Sequence, residues 1–368
     1  MTEPPLQIKD IAGIQQDSIE LLKQLISIPS FSKTEDKTAE AIGMFLRQKG
    51  IPFNRYLNNI WAVNKFFNEN KPTILLNSHH DTVKPNSGYT KDPFFPEESD
   101  GKLFGLGSND AGGCLVALLG TFSYYYSEPE LKYNLLFAAS SEEEISGRDG
   151  IEALLQQPEF LKHLTGNTCG IVGEPTLLNM AVAEKGLLVL DCISSGVAGH
   201  AARNEGENAI YKAITDIEWF QSYQFEKVSD FLGPVKMTVT SIQTANIAHN
   251  VVPAECRFVV DIRINELYTF DEVLDTIRQH IHSKLTPRST RLRSSSIPVT
   301  HALVKAGALL GKKSYGSPTT SDKALMNFPA LKMGPGDSAR SHSADEFIYL
   351  AEIRQGIQTY IDLINQLV

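Results

Sequence analysis

Five short segments of this sequence hold side chains suited to acid–base or metal chemistry. Asn77-Ser78-His79-His80-Asp81 directly follows the apolar run Ile74-Leu75-Leu76. His79 and Asp81 lie two apart and point the same way on extended backbone, and a carboxylate beside a histidine orients it and makes it more basic as a ligand. The adjacent His80 offers a second imidazole, and the sequence alone does not choose between them. Asp110 sits in Gly105-Leu106-Gly107-Ser108-Asn109-Asp110-Ala111-Gly112-Gly113, where glycines permit tight backbone; an ordinary aspartate helix cap also fits there. The stretch lacks the lysine and spacing of a phosphate loop. Ser140-Ser141-Glu142-Glu143-Glu144 follows Leu135-Leu136-Phe137. Three adjacent carboxylates repel one another, so they are either a solvated acidic loop or the surroundings of a positive charge. Gly173-Glu174-Pro175-Thr176 follows Ile171-Val172, and Gly334-Pro335-Gly336-Asp337 leads to His342-Ser343-Ala344-Asp345-Glu346. Asp345 and Glu346 also read as favourable charges at a helix start. Each segment is weak alone. Together they offer histidines and carboxylates, the donor set that suits zinc.

Elements that could position these residues follow from the hydrophobic period. Asp17-Ser18-Ile19-Glu20 reads as a capping box, with Leu22, Leu25 and Ile26 on one helical face and Pro29 beyond its end. A second helix is expected over 38–49, with Ile42, Phe45 and Leu46 inward and Gly50 at its C-terminal stop. Strands are expected over 59–66, 72–77, 133–139 and 170–173, and an apolar helix over 112–126. This alternation implies an α/β fold with a mostly parallel sheet, whose strand carboxyl ends are where sites form. From 180 the character changes. Strands at 182–194, 235–242, 255–264 and 290–295, with helices at 208–221 and 270–283, give the order β-α-β-β-α-β, a ferredoxin-like α+β insert. The expected division is therefore 1–179 with 291–368 as the catalytic, metal-binding domain, and 180–290 as a lid or dimerisation domain. The chain then returns through a helix at 302–311, a strand at 330–333 and a last helix at 345–367.

The formal charge is -9, which argues against nucleic acid as a partner, because phosphate binding needs a basic face. Met1 to Asp10 has no basic segment followed by an apolar run, so no signal peptide is expected, and no stretch approaches the ~18 apolar residues of a membrane span. Cys114, Cys169, Cys192 and Cys256 form no CxxC pair, so packed, reduced thiols in a cytoplasmic protein are expected.

In order and spacing, the five segments resemble the dinuclear zinc family of aminoacylases, acetylornithine deacetylases and succinyl-diaminopimelate desuccinylases, over nearly the whole chain and including the insert. The resemblance implies two Zn2+ ions, with Co2+ or Mn2+ as substitutes in vitro. His79 and Glu174 then hold one ion, Asp110 bridges, and Glu144 and His342 hold the other. Asp81 supports the ligand histidine and Glu143 is the general base, with Glu142 where the family usually has aspartate. His200, in Gly196-Val197-Ala198-Gly199-His200, matches the histidine that stabilises the oxyanion in a partner subunit's site, which implies a homodimer. Asn250 and Arg263 match substrate-carboxylate contacts. Thr320 and Ser321 match a substrate-binding turn, although Pro318-Thr319 replaces the glycines often found before it. The implied activity is cytoplasmic hydrolysis of an N-acyl amino acid, first N-acetylornithine or N-acetylcitrulline in arginine biosynthesis. N-succinyl amino acids come next, and a dipeptidase or carboxypeptidase third. A non-catalytic amino-acid-binding relative would show damage to the ligand set or base, and all those positions are filled.

Overall fold

The computed structural model describes residues 10–203 and 205–367; the segment 1–9, on which the signal-peptide expectation rests, lies outside them. The chain forms two compact units. The first comprises residues up to Val182, Ile297–Tyr315 and the chain from Ser321; the second comprises Ala183–Ser296 and Gly316–Thr320.

In the first unit the central strands run in the spatial order Asn54–Tyr56, Asn59–Val63, Asn134–Ser140, Thr73–His79, Cys169–Val172 and Ala330–Lys332. The last four are parallel, and the first two join antiparallel at one side. Every residue of these four parallel strands is buried, as expected for a sheet covered on both faces. Their side chains alternate between two cores. Ile74, Leu76, Leu135 and Phe137 face the helices Ile11–Ile26, Gly113–Tyr125 and Leu350–Asn365. Leu75, Leu136 and Ala138 face a smaller cluster with Trp61, Leu154 and Phe160. The Gly113–Tyr125 helix is apolar nearly all round, and so are its surroundings.

Two helix limits differ from the sequence pattern. The first helix starts at Ile11, not near Asp17. Asp10 caps it by accepting the Gly13 N–H at 2.9 Å, while Glu20 accepts from Gln16 and Lys23 instead of reaching back to Asp17. The pattern missed the first turns because Asp17 and Glu20, inside the helix, have the spacing of a capping box. The last helix starts at Leu350, because Phe347–Tyr349 is drawn into a strand antiparallel to Lys102–Phe104.

The second unit has a four-stranded antiparallel sheet in the order Lys236–Gln243, Glu255–Ile264, Gly186–Ser195, Lys284–Pro287. Helices Ala209–Ser222 and Phe270–His280 pack on the face formed by Leu188, Leu190, Cys192, Phe258, Val260 and Ile262. Alternate residues of the two central strands are buried, the signature of a sheet covered on one side. The closing strand is Lys284–Pro287 rather than 290–295, so the helix before it stops at His280. Ser295–Ser296 pairs instead with Met180–Glu184.

All four cysteines are buried and free. Among the described residues no helix is long and apolar enough to cross a membrane. The capping assignment has a direct check. Asp10→Ala should cost about 1 kcal/mol in urea unfolding, whereas Asp17→Ala, which removes only an exposed ion pair with Lys49, should change it by less than about 0.5 kcal/mol.

Candidate metal centre

Three neighbouring parallel strands deliver side chains at their carboxyl ends: His79 at the end of Thr73–His79, the glutamates after Asn134–Ser140, and Glu174 after Cys169–Val172. Asp110 comes from the turn that opens the Gly113–Tyr125 helix, and its peptide bond to Ala111 is cis. His342 follows the short turn Ser338–Arg340.

These groups converge. His79 Nε2 lies 3.2 Å from Asp110 Oδ1, 3.8 Å from Glu174 and 3.9 Å from Glu143. His342 Nε2 lies 2.9 Å from Glu144 and 3.7 Å from the other Asp110 oxygen. Two sets, His79 with Asp110 and Glu144, and His79 with Glu143 and Glu174, each bring one ligand atom per residue within 4.8 Å of the others. Asp110 thus presents one oxygen toward each histidine.

The choice between the adjacent imidazoles is settled by what holds them. His79 Nδ1 faces the Asp81 backbone oxygen at 3.0 Å and its carboxylate at 3.4 Å, so Nε2 turns to the cluster. His80 is buried away from it, with Nδ1 at the Thr38 hydroxyl and Nε2 2.9 Å from the Asn58 carbonyl oxygen. The triple glutamate divides similarly. Glu142 has a left-handed backbone, φ 55°, and its carboxylate accepts from Asp149 N–H, which leaves Glu143 and Glu144 facing the histidines.

Charge in the cluster is unbalanced. Burial, then the neighbouring Glu174 charge, hold the Glu143 carboxyl well above the usual range. Burial opposes a charged His79, but its bonds to Asp110 and Asp81 hold its pKa well above the ordinary imidazole value. The bond to Glu144 raises His342 to about 9 despite partial burial. Carboxylates that must share protons and borrow imidazolium charge fit divalent cations, and the N and O donors match that chemistry. His79, Glu143, Glu144, Glu174, Asp110 and His342 are the residues placed to hold or flank them.

Several supporting hydrogen bonds carried no signal in the sequence. The Asp81 carboxylate accepts the N–H groups of Glu143 and Glu144 at 3.0 and 3.2 Å and the Ser32 hydroxyl at 2.7 Å. Glu35, fully buried, accepts the Glu142 N–H at 3.2 Å and the Asn58 amide at 2.9 Å. It stands in Ser32-Lys33-Thr34-Glu35-Asp36, which reads as an exposed polar stretch. Asp322 lies behind the strand ends and accepts from Asn77 and Ser140 at 2.8 and 2.6 Å.

The remaining sequence-selected residues are less concentrated. In the second unit His200 and Asn250 are brought together: His200 is on the strand pair Gly199–His200 with Val251–Val252, and Ala201 N–H donates to the Asn250 carbonyl at 2.9 Å. Both are exposed, and His200 Nδ1 accepts the Ala202 N–H. Arg263 gives Nε and Nη2 to Asp261 at 2.8 and 3.1 Å. The Thr320 hydroxyl donates to the Lys185 carbonyl. In the first unit Ser321 is buried and caps the short turn Asp322–Leu325.

Residues 75–366 match the model of peptidase family M20/M25/M40. The chain is 28% identical to the acetylornithine deacetylase of Proteus mirabilis (strain HI4320), with 91% of this chain and 92% of that protein covered. It is 27% identical to succinyl-diaminopimelate desuccinylase 2 of Ruegeria sp. (strain TM1040), with 72% of this chain and 69% of that protein covered. Among solved structures, the Bacillus subtilis YXEP protein, described as a dinuclear metal binding peptidase, superposes with TM-score 0.73 at 16% identity, covering 96% of this chain and 98% of that one. At that identity the likeness concerns the fold.

In the metal-free protein both histidines are shifted toward their charged forms, and His342, raised to about 9, stays charged until pH passes that value. A cation needs them neutral, so metal loading at pH 7.5 should release protons and tighten as pH rises toward about 9. Titration calorimetry in buffers of different ionisation enthalpy reads this directly; buffer-independent heats would contradict it.

Proposed function

Because this chain belongs to peptidase family M20/M25/M40, whose members here are metal-dependent hydrolases, we propose that it hydrolyses the amide bond of an N-acyl amino acid in the cytoplasm, with N-acetylornithine or N-acetylcitrulline of arginine biosynthesis as substrate. The observation that carries the substrate choice is the acetylornithine deacetylase relative, whose similarity extends over 91% of this chain. The desuccinylase relatives, at 26–27% identity over 72–77% of the chain, favour N-succinyl amino acids as the second reading.

In this reading two zinc ions are the cofactors. His79 and Glu174 would hold one and Glu144 and His342 the other, with Asp110 available to both. When bound, such ions polarise the scissile carbonyl and lower the pKa of water. The protein's own groups do the rest. Asp81 fixes the His79 ring, so that Nε2 is the ligand atom. Glu143, only 15% exposed and already high in pKa, takes the proton of the attacking water. The water oxygen bonds to the carbonyl carbon, the C–N bond breaks, and Glu143 returns that proton to the leaving nitrogen. Products are a carboxylic acid and the free amino acid. His200 of a second copy donates to the oxyanion. Asn250, Thr320, Ser321 and Arg263 contact the substrate; with Nε and Nη2 held by Asp261, the Arg263 contact falls to Nη1.

The second unit supports a homodimer. Its edge strand Lys236–Gln243 is largely exposed, Ile242 and the nearby Ile247 are 51% and 100% exposed, and Tyr211 and Ile214 on the adjoining helix are 70% and 41% exposed. An unpaired edge beside apolar side chains is suited to a second copy.

The proposal is tested by measuring free amine released from N-acetylornithine, N-acetylcitrulline, N-succinyl derivatives and a dipeptide, with a chelated control. Cleavage of an acetylated substrate that the chelator abolishes is expected; preference for a succinyl group selects the second reading, and no cleavage of any overturns both. Glu143→Gln should keep its metal and lose about 10²–10⁴-fold in turnover. Ile242→Lys with Tyr211→Glu should halve the mass seen by light scattering and lower turnover with it; a fully active monomer removes His200 from the mechanism.

A further inference from the structure

Glu346, which the sequence offers only as a charge at a helix start, lies in the interior at 2% exposure. The cause is the strand Phe347–Tyr349, which pairs with Lys102–Phe104 and lets Gly105 N–H donate to the Glu346 carbonyl at 2.9 Å. That pairing sets the Glu346 carboxylate against the turn that carries Asp110. Oε1 accepts the N–H groups of Asn109 and Asp110 at 2.8 and 2.9 Å, and Oε2 accepts that of Gly107 at 3.1 Å. Gly107 has φ 75°, and a Cβ there would lie 2.5 Å from the Thr82 methyl, so this approach of backbone to carboxylate depends on glycine.

The same contact links two distant ligands. Asn109 exchanges two hydrogen bonds with the Asp337 backbone, both 3.0 Å, and Asp337 begins the segment that ends at His342. Glu346 lies four residues beyond His342. One buried carboxylate therefore grips the backbone of Asp110 while being covalently tied to the His342 segment. A loop without such a clamp lets the Asp110 carboxylate swing about its own backbone, and displacement of even about 1 Å is enough to spoil a shared ligand.

We propose that Glu346 is a positioning residue for the metal centre: through the N–H groups of Gly107, Asn109 and Asp110 it fixes the Asp110 side chain where two cations can share it. This rests on the reading of Asp110 as the shared ligand. A carboxylate that accepts several backbone N–H groups is a strong clamp, and partners behind metal ligands typically govern affinity by about 10–100-fold.

The test is zinc binding by the full-length protein, measured by competition with a chromophoric chelator, together with the absorption spectrum of the Co2+-loaded form. Glu346→Ala should bind zinc about 10–100-fold more weakly and shift the Co2+ bands, with circular dichroism unchanged. Glu346→Gln keeps one oxygen able to accept from Asn109 and Asp110, so it should fall between wild type and alanine. If the alanine variant does not fold, the glutamine variant decides. Wild-type zinc affinity and an unchanged Co2+ spectrum in a folded variant overturn the proposal. Asp110→Asn provides the separate control. If it keeps full zinc content, the shared-ligand reading fails by itself, and no outcome here depends on which acyl amino acid is cleaved.

Discussion

Everything at this centre depends on keeping negative charge in a buried place. Asp110, Glu143, Glu144 and Glu174 crowd two imidazoles, and behind them Asp81, Glu346, Glu35 and Asp322 add further buried carboxylates. Isolated, each would be expensive to bury. The chain offsets this by aiming backbone N–H groups at the outer ones. Asp81 receives those of Glu143 and Glu144, Glu346 those of Gly107, Asn109 and Asp110, and Glu35 those of Lys33 and Glu142. The inner carboxylates lie against the two imidazoles and against one another. Burial and Asp110 raise Glu346 to about 8, so even a well-bonded outer group feels the excess.

The parallel sheet makes this crowding possible. Three adjacent strands, fully buried along their lengths, end in register: His79 opposite Ser140, and Asn77 opposite Val172. The residues that follow must diverge from the sheet at the same level, which puts His79, Glu143, Glu144 and Glu174 within one small volume. Asp322 ties two of those ends together through Asn77 and Ser140. The Asp110 turn and the His342 segment are added from the side, clasped by Asn109, Glu346 and Asp345, the last accepting from Thr90 and Lys91.

The legible and illegible parts of the sequence divide along physical lines. Apolar runs ending in His79, Glu142–Glu144 and Glu174 announced both the strands and what they carry, because a strand buried on both faces leaves an unbroken hydrophobic signal. The ferredoxin-like order was legible from alternation in 186–195 and 255–264. Position-specific hydrogen bonding was not. Asp17 and Glu20 imitate a cap that Asp10 supplies, because the pattern reads spacing and not where the chain turns. Phe347–Tyr349 was absorbed into a helix because a three-residue strand is too short for its period to register. That error hid Glu346, whose burial depends on the strand. Glu35 could not be found at all: its neighbours are polar, and apart from the Lys33 N–H its partners, the Asn58 side-chain amide and the Glu142 N–H, lie far away in sequence.

A centre built this way couples folding to metal. The sheet brings the carboxyl and imidazole groups together, and their crowding shifts the pKa values of His79, Glu143 and His342 upward. A cation bound only by the folded chain contributes stability of RT ln(1 + [L]/Kd), about 4 kcal/mol at a thousandfold excess over Kd. That is of the same order as the cost of burying a few unpaired charges. The outer carboxylates hold the backbone segments that carry the inner ones in place. Partners behind metal ligands typically govern affinity as the ligands do, so the supporting residues bear on any ion the site takes.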